Sequence, residues 1–461
     1  MNRAILGILA CGGLAIATAH PAAAQPGADT LTVSLEDALA IAGGANPAVL
    51  RAEADLGLNG PETRSTWLGQ VVPRVTVDVL QTGYRGNLQR QGFDNLGRPL
   101  ENPEANWIYT SNTQQGLALN WNITGLSFLN ARDRQSQTNR GRVLALEQAQ
   151  AGVLTDVQRQ FWDALEQREL LSVEEAVAEA RLRDRETAER LFGLARNTRV
   201  DVLQAELAVE QQRSAIQQQR SAYEQALLSL RTTLGDTELP PIRPEASGLP
   251  IFDASTLNEE ALVARALGEN PSVRAQLAGV DGARIGVAEA TEWKWPSLSL
   301  SYNWFQYRQT QETEALFDLG YDPDRVQSSF SVQVGLPFFN SYFQNKAGEA
   351  QARVQLQNQR EGLKETRLQT EQEVRSQLIA LRNQGETLRL AERSVVIAAE
   401  ALRLAREEYR IGTRTFEQLQ DAIEQEATSR RQVITSRYGF VDALVALEAA
   451  VGGAVRPGAG G

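Results

Sequence analysis

The chain has almost no side chains able to bind a soft metal or act as a nucleophile. Its 461 residues include a single cysteine, a single histidine and a single methionine, and all three, Cys11, His20 and Met1, fall within positions 1–24. Those positions read as a secretory signal peptide: Arg3 is the positive start, Ala4–Ala17 the apolar stretch and Ala22-Ala23-Ala24 a small-residue cleavage site. The exported chain expected from this has no thiol, imidazole or thioether, which excludes soft-metal sites, Cys–His nucleophiles and Ser–His–Asp triads. No catalytic residue, no metal ligand and no cofactor is expected, and the chain does not read as an enzyme. Cys11 lies inside the apolar stretch, ahead of the better cleavage site, and reads as apolar filler rather than a lipidated cysteine.

Long apolar runs are missing too. Beyond the signal no stretch approaches the roughly 18–20 residues of a membrane helix, so any spanning must be by strands. Lysine is confined to Lys294, Lys346 and Lys364. The net charge of −11, or −12 without the positive charge of Arg3, argues against a nucleic-acid partner.

What is present comes twice. Glu36-Asp37-Ala38-Leu39 leads to Asn46-Pro47, and Glu259-Glu260-Ala261-Leu262 leads to Asn270-Pro271, 224 residues on. Pro73 opens an alternating run, as Pro296 does; Trp121-Asn122-Ile123 with Phe128 and Asn130 matches Leu336-Pro337-Phe338 with Phe343 and Asn345. Thr198-Arg199 and Thr413-Arg414 sit at corresponding points of the helical runs that follow. The period far exceeds the ~20–50 residues of solenoid repeats, so a duplicated half-molecule is expected.

In the alternating runs, Val75, Val77 and Val79 alternate with Arg74, Thr76 and Asp78; Leu117, Leu119, Trp121 and Ile123 with Ala118, Asn120 and Asn122. Leu298, Leu300, Tyr302 and Trp304 alternate with serines and Asn303; Val332, Val334 and Leu336 with Ser331, Gln333 and Gly335. One such run fits a soluble sheet with one wet face. Four, with a polar face mostly uncharged and small and with Trp107, Tyr109, Trp121, Trp293, Trp295, Tyr302 and Trp304 toward strand ends, fit a membrane barrel with an aromatic girdle. Four strands cannot close, because open edges in lipid leave backbone groups unsatisfied, so copies must share one barrel. Arg85–Ile108 and Thr310–Arg325, rich in turn residues, read as hairpin loops.

Each strand pair leads into Pro-free helical sequence, with apolar residues such as Leu154, Val157, Phe161 and Leu165 set among Gln, Glu, Arg and Ala. The expected division is a signal peptide over 1–24 and a first repeat over 25–234, with strands near 71–84 and 114–124, a long helix near 130–195 and a return helix near 200–234. A Pro-rich equatorial linker over 235–256 follows. The second repeat covers 257–453, with strands near 296–308 and 327–338 and helices near 345–411 and 416–451, and 454–461 is a flexible tail. Sparse apolar stripes on helices about 100 Å long suit a coiled-coil wall around a wet lumen.

These residues resemble the TolC family of bacterial outer-membrane efflux and secretion channels over about residues 31–453. The sharpest stretch is Tyr409-Arg410-Ile411-Gly412-Thr413-Arg414-Thr415, followed by Leu419, Asp421 and Ala422; the first-half counterpart is Asp201-Val202-Leu203-Gln204-Ala205. The resemblance implies a mainly α chain with a membrane β portion, forming a homotrimer with a 12-stranded barrel and a 12-helix periplasmic α-barrel. It also implies a periplasmic latch of Tyr409 and Arg414 with Asp201, a tip constriction at Asp421, and Gln418 where the family often has a second acid. From the residues alone, Arg414 reads as a solvated helix-end cation. The turns Arg196, Asn197, Thr198, Arg199 and Gly412, Thr413, Thr415 would meet a periplasmic adaptor, with Asn197 aligned to Gly412 as the residue tolerating left-handed backbone.

The function so implied is a passive exit duct through the outer membrane and its lipid, with a long periplasmic extension, serving a tripartite pump or type I secretion system with an adaptor and an inner-membrane pump or secretion ATPase. A soluble periplasmic coiled-coil adaptor or scaffold explains the helices but not the strands. A carboxylate-based periplasmic hydrolase would need a paired Asp/Glu site, and no convincing pair is seen.

Overall fold

A computed structural model describes residues 31–455 except 91, 93–95, 97, 100–104, 125–126, 196–197, 237, 311–324 and 337–339. The signal-peptide and tail expectations, and most of the second hairpin loop, lie outside the described residues. The chain runs β1 (Leu31–Val33), α1 (Leu35–Ala45), α2 (Pro47–Leu56), α3 (Asn59–Val71), β2 (Arg74–Arg90), β3 (Ala105–Thr124), α4 (Ser127–Gly193) and α5 (Arg199–Leu234). After β4 (Ile242–Pro244) come α6 (Glu259–Glu269), α7 (Pro271–Ala290), β5 (Ser297–Thr310), β6 (Val326–Gly335), α8 (Asn340–Ile411) and α9 (Phe416–Val451). Most of the chain is helical. At 67 and 72 residues, α4 and α8 are each about 100 Å long. Among the described residues no helix is long and apolar enough to cross a membrane.

The Asn-Pro pairs do the same work in both places. Asn46 caps α2 by accepting from the Ala48 N–H, while its Nδ2 donates at 2.7 Å to the Thr233 carbonyl at the end of α5. Asn270 caps α7 through the Ser272 N–H and donates at 2.8 Å to the Ala450 carbonyl at the end of α9. Each return helix ends in a left-handed glycine, Gly235 (φ 79°) or Gly452 (φ 86°), lying against the backbone of that same asparagine. The motif therefore staples the end of each hairpin to the short helices that precede its strands.

The main sheet has order β2-β3-β5-β6, antiparallel throughout. Its register puts the apolar residues of all four strands in rows: Val75 pairs with Leu119 and Val77 with Leu117, which in turn faces Trp304; Trp121 pairs with Leu300, and Leu300 with Val332. Because side chains alternate faces along a strand, these rows make one continuous apolar face, and Thr76, Ala118, Asn303 and Ser329 row up on the other. Val77, Val79, Phe330 and Val334 on the outer strands are more than 60% exposed. The strands β2 and β3 extend past the expected loop boundary at Arg85, pairing from Arg74↔Asn120 to Arg90↔Ala105 with one irregularity at Asp78/Gln81. Backbone pairing needs no apolar side chains, so polar sequence there continues the hairpin arms. At its other end β2 starts at Arg74 rather than near 71, because α3 runs to Val71.

The segment expected as an outer linker is also structured: Ile242–Pro244 pairs in parallel with Leu31–Val33, and Ile242 and Ala254 are buried. Pro interrupts helices but is allowed at a short edge strand. One core cluster joins α1, α4, α5, β1 and β4 around Phe161, Leu165 and Leu230, and takes Tyr438, Val441 and Val445 from α9. A second packs α6, α8 and α9 around Leu378, Leu381 and Phe440. A third, near the hairpin turns, holds Ala188, Ala205, Leu402, Tyr409 and Phe416.

Candidate functional site at the hairpin tips

Both long helices end in the same local geometry. At the second tip the Gly412 N–H donates to the Tyr409 carbonyl (3.1 Å) and the Thr413 N–H to the Glu408 carbonyl (3.0 Å), the paired bonds of a glycine-terminated helix, with Gly412 at φ 85°. At the first tip the Ala195 N–H donates to the Phe192 carbonyl (2.9 Å), and Ala195 itself is left-handed at φ 55°. Ala195, not Asn197, is therefore the counterpart of Gly412, 217 residues earlier; Arg196 and Asn197 lie outside the described residues.

The same interval relates the return helices. Thr198 caps α5 by accepting from the Asp201 N–H, and the Asp201 Oδ2 accepts from the Thr198 N–H and hydroxyl, both at 2.8 Å. Thr415 caps α9, exchanging bonds with the Gln418 backbone and side chain at 3.3 and 3.1 Å. Thr198 thus answers to Thr415 rather than Thr413, and Asp201 to Gln418. Position 418 forms a capping box, and glutamine makes those bonds without a charge.

The expected latch residues occupy three different settings. Tyr409 is 5% exposed and packs its ring 5.8 Å from that of Phe416, in the cluster that also holds Ala205, one turn past Asp201. Arg414 turns back to its own helix, its Nε 2.9 Å from Glu408 Oε2. Asp201 is engaged in its cap. The structure therefore brings Tyr409 to the first hairpin beside the Asp201 turn, while Arg414 pairs with Glu408, a residue that sequence reasoning passed over. Glu408 also accepts from Thr413 through its carbonyl. Asp421 is exposed on α9 and Arg199 opens α5.

Sequence reasoning also missed a polar seam above the tips. The Glu174 side chain on α4 is 9% exposed; its Oε1 accepts from Arg431 Nε on α9 (2.7 Å) and its Oε2 from Gln212 Nε2 on α5 (2.6 Å). Glu424 on α9 accepts from both Arg431 (3.1 Å) and Arg181 on α4 (2.9 Å). Below it Arg406 lies 3.8 Å from Asp184, whose carboxyl burial pushes above the ordinary range against the pull of that arginine. Higher up, Glu166 is raised to about 7, first by burial and then by Asp163, Asp442 and Glu169. Glu174 could have been singled out only as one acid among many on α4, because its partners are 38 and 257 residues away. Among the described residues no group of three or more potential ligands could hold a metal ion.

Residues 262–453 match the family model described as outer membrane efflux protein. No curated protein matches the chain. Solved structures share its fold: the outer membrane protein VceC from Vibrio cholerae, at 15% identity over 91% of this chain and 96% of that one, with TM-score 0.67; and the Campylobacter jejuni CmeC outer membrane channel, at 13% identity, 91% and 85% coverage and TM-score 0.68. The Neisseria gonorrhoeae MtrE outer membrane channel in its open state matches at 17% identity, 91% and 89% coverage and TM-score 0.67. Residues 262–453 thus match the outer membrane efflux protein family, and the chain shares the fold of these outer-membrane channels over 91% of its length.

Proposed function

We propose that the chain is the outer-membrane exit duct of a tripartite efflux pump or type I secretion system, working as a homotrimer with a periplasmic adaptor and an inner-membrane pump or secretion ATPase. The observation that carries this reading is the four-stranded sheet with one continuous apolar face and two open edges, β2 and β6. In lipid those edges must be paired, and three copies edge to edge make a twelve-stranded barrel, well above the roughly eight strands at which natural barrels begin. Below such a barrel the helical hairpins, about 100 Å long, continue the conduit toward the inner membrane. The duct does no chemistry; it positions a path and a gate.

In this reading the gate is the tips. Tyr409 and Arg414 of one hairpin and Asp201 of another form charge-assisted bonds, each worth about 0.5–3 kcal/mol, weak enough for a docking partner to open. Arg414 would exchange Glu408 for Asp201, while Tyr409 offers its hydroxyl from the packed cluster. Three copies of Asp421 about 8 Å apart would repel by ~2 kcal/mol per pair at an effective dielectric near 20, favouring cations at the mouth. The adaptor would meet the turns from Arg196 to Arg199 and from Gly412 to Thr415.

The test is conductance in planar bilayers. Arg414→Ser with Tyr409→Phe should raise single-channel conductance several-fold while the trimer persists on native gels. Unchanged conductance with an intact trimer would remove the latch, and a protein that remains monomeric in detergent and never conducts would remove the duct.

A further inference from the structure

Two of the chain's three lysines meet at one carboxylate. Lys294, on the turn between α7 and β5, places Nζ 3.1 Å from Glu349 Oε1. From α8, Lys346 Nζ lies 3.6 Å from Glu349 Oε2, and Arg353 Nη2 donates to Oε1 at 2.6 Å. The Glu349 side chain is 3% exposed, whereas the three cations are 43%, 50% and 65% exposed. One buried anion therefore anchors three cations that are part-exposed on the chain, a surplus of two positive charges over Glu349.

Of the neighbouring carboxylates, α4 neutralises one and only orients the other, so with the charge of Glu292 beside Lys294 the surplus is about one positive charge. Glu289 pairs with Arg134, and Glu292 accepts from Asn130 at 2.5 Å. Nor does the first half repeat the cluster. In the 215-residue register set by Asn130 and Asn345, Lys346 and Arg353 answer to Ala131 and Thr138, and Glu349 to Arg134.

The height of the cluster is set by the sheet. Lys294 stands three residues before Ser297, which opens β5 and pairs with Gly335 at the end of β6, so the cations sit just past the helix-side rim of the apolar band. Aromatic rings mark the same level: Trp293 meets Tyr342 edge-on at 5.4 Å, Tyr342 meets Phe343 at 5.6 Å, and Phe343 is 72% exposed. Lys294 Nζ lies 5.8 Å from the centre of the Trp293 ring. Among the described residues Trp293 Nε1 is buried without a hydrogen-bond partner, a donor with no acceptor beside Lys294.

We propose that Lys294, Lys346 and Arg353 form a headgroup site for the phosphate of an anionic phospholipid in the leaflet on the helix side of the barrel, a site that rests on the outer-membrane reading above. Aromatic rings seat at headgroup level, and lysine carries a compact charge on an apolar stem that reaches along the rim to a phosphate. Each basic residue near an anionic surface strengthens its attraction about fivefold.

The test reconstitutes the full-length protein into nanodiscs of phosphatidylcholine mixed with phosphatidylglycerol and reads retained lipid by native mass spectrometry. The wild type should retain phosphatidylglycerol over phosphatidylcholine, and Lys294→Gln with Lys346→Gln should cut that preference about fivefold per lysine. Arg353→Gln removes the most exposed cation and should cut it on its own, even where the double variant folds poorly, while Glu349→Gln, which keeps all three cations, should retain it. A preference unchanged in both cation variants would overturn the site. So would inorganic phosphate displacing the lipid and binding equally well alone, since the ligand would then be a free anion. A shift in channel ion selectivity with no change in lipid retention would place the cations on the lumen and overturn it too. Protein that conducts but shows no lipid preference defeats this site alone; protein that does not insert defeats the outer-membrane reading with it.

Discussion

At the second tip the left-handed position is Gly412; at the first, 217 residues earlier, it is Ala195. Each donates its N–H to the carbonyl three residues back and both return helices open with a threonine capping box, yet an L side chain in that conformation costs roughly 1–2 kcal/mol that glycine avoids. The caps differ as well, since Asp201 brings a charge where Gln418 brings none. At the described positions the two tips thus share a left-handed residue and a threonine cap but differ in strain and charge. In the latch proposed above, that difference is what would let one hairpin offer a carboxylate to the other rather than meet its own likeness.

The comparison can be broken most severely where the hairpins join. Glu174→Ala removes the side-chain acceptor that Arg431 and Gln212 share, leaving Arg431 to Glu424 and Gln212 to the Glu174 carbonyl, and should cost about 3 kcal/mol, read as a lowered apparent Tm in detergent. A loss below ~1 kcal/mol would mean that the hairpins are held by their apolar clusters alone. Next come the left-handed positions. Gly235→Ala adds a Cβ 2.7 Å from the Asn46 Cα and should cost about 3 kcal/mol, whereas Gly412→Ala meets nothing within 4 Å and should cost only about 1 kcal/mol. Ala195→Gly should run the other way, with a gain of up to about 1 kcal/mol; destabilisation there would break the equivalence of the two turns.

The smallest effect is a dependence on pH. The folded chain holds the Glu166 proton up to about pH 7, whereas an unfolded glutamate releases it near 4.5, so folded stability falls as pH rises through that window. Asp163, Glu169 and Asp442 around it sharpen the loss. Thermal melts from pH 5 to pH 8 should show a declining Tm, and Glu166→Gln should flatten the decline; an unchanged slope in the variant would assign it to other groups.

Much of this was legible in the residues. The Asn-Pro pairs announced a repeated device, although their grip on Thr233 and Ala450 was not visible, because each partner carbonyl lies 180 residues or more away in the chain. Alternation located all four strands, and their common apolar face followed once the register was known. The tips were found but aligned two residues out of register: Thr198-Arg199 looks like Thr413-Arg414, yet the threonine that caps is Thr415. Nothing in the sequence marks Ala195 as left-handed, because alanine is not a residue that asks for that conformation. Lys346 and Arg353 stand at helical spacing from Glu349, but nothing in the sequence marks Lys294, on a turn 55 residues earlier, as its partner.

What the sequence determined by itself is everything written in local period and local chemistry. Strand alternation, Pro-free helical runs, capping threonines and the absence of nucleophiles and soft ligands depend on neighbours a few residues away, where backbone sterics and side-chain spacing decide. Only the tertiary structure decided which carboxylate meets which distant cation: Glu174 with Arg431, Glu424 with Arg181, and Glu349 with Lys294. Such pairings depend on how the long helices α4 and α8 are phased against the elements packed on them, and that phase is set by the whole length of their packing rather than by any single motif.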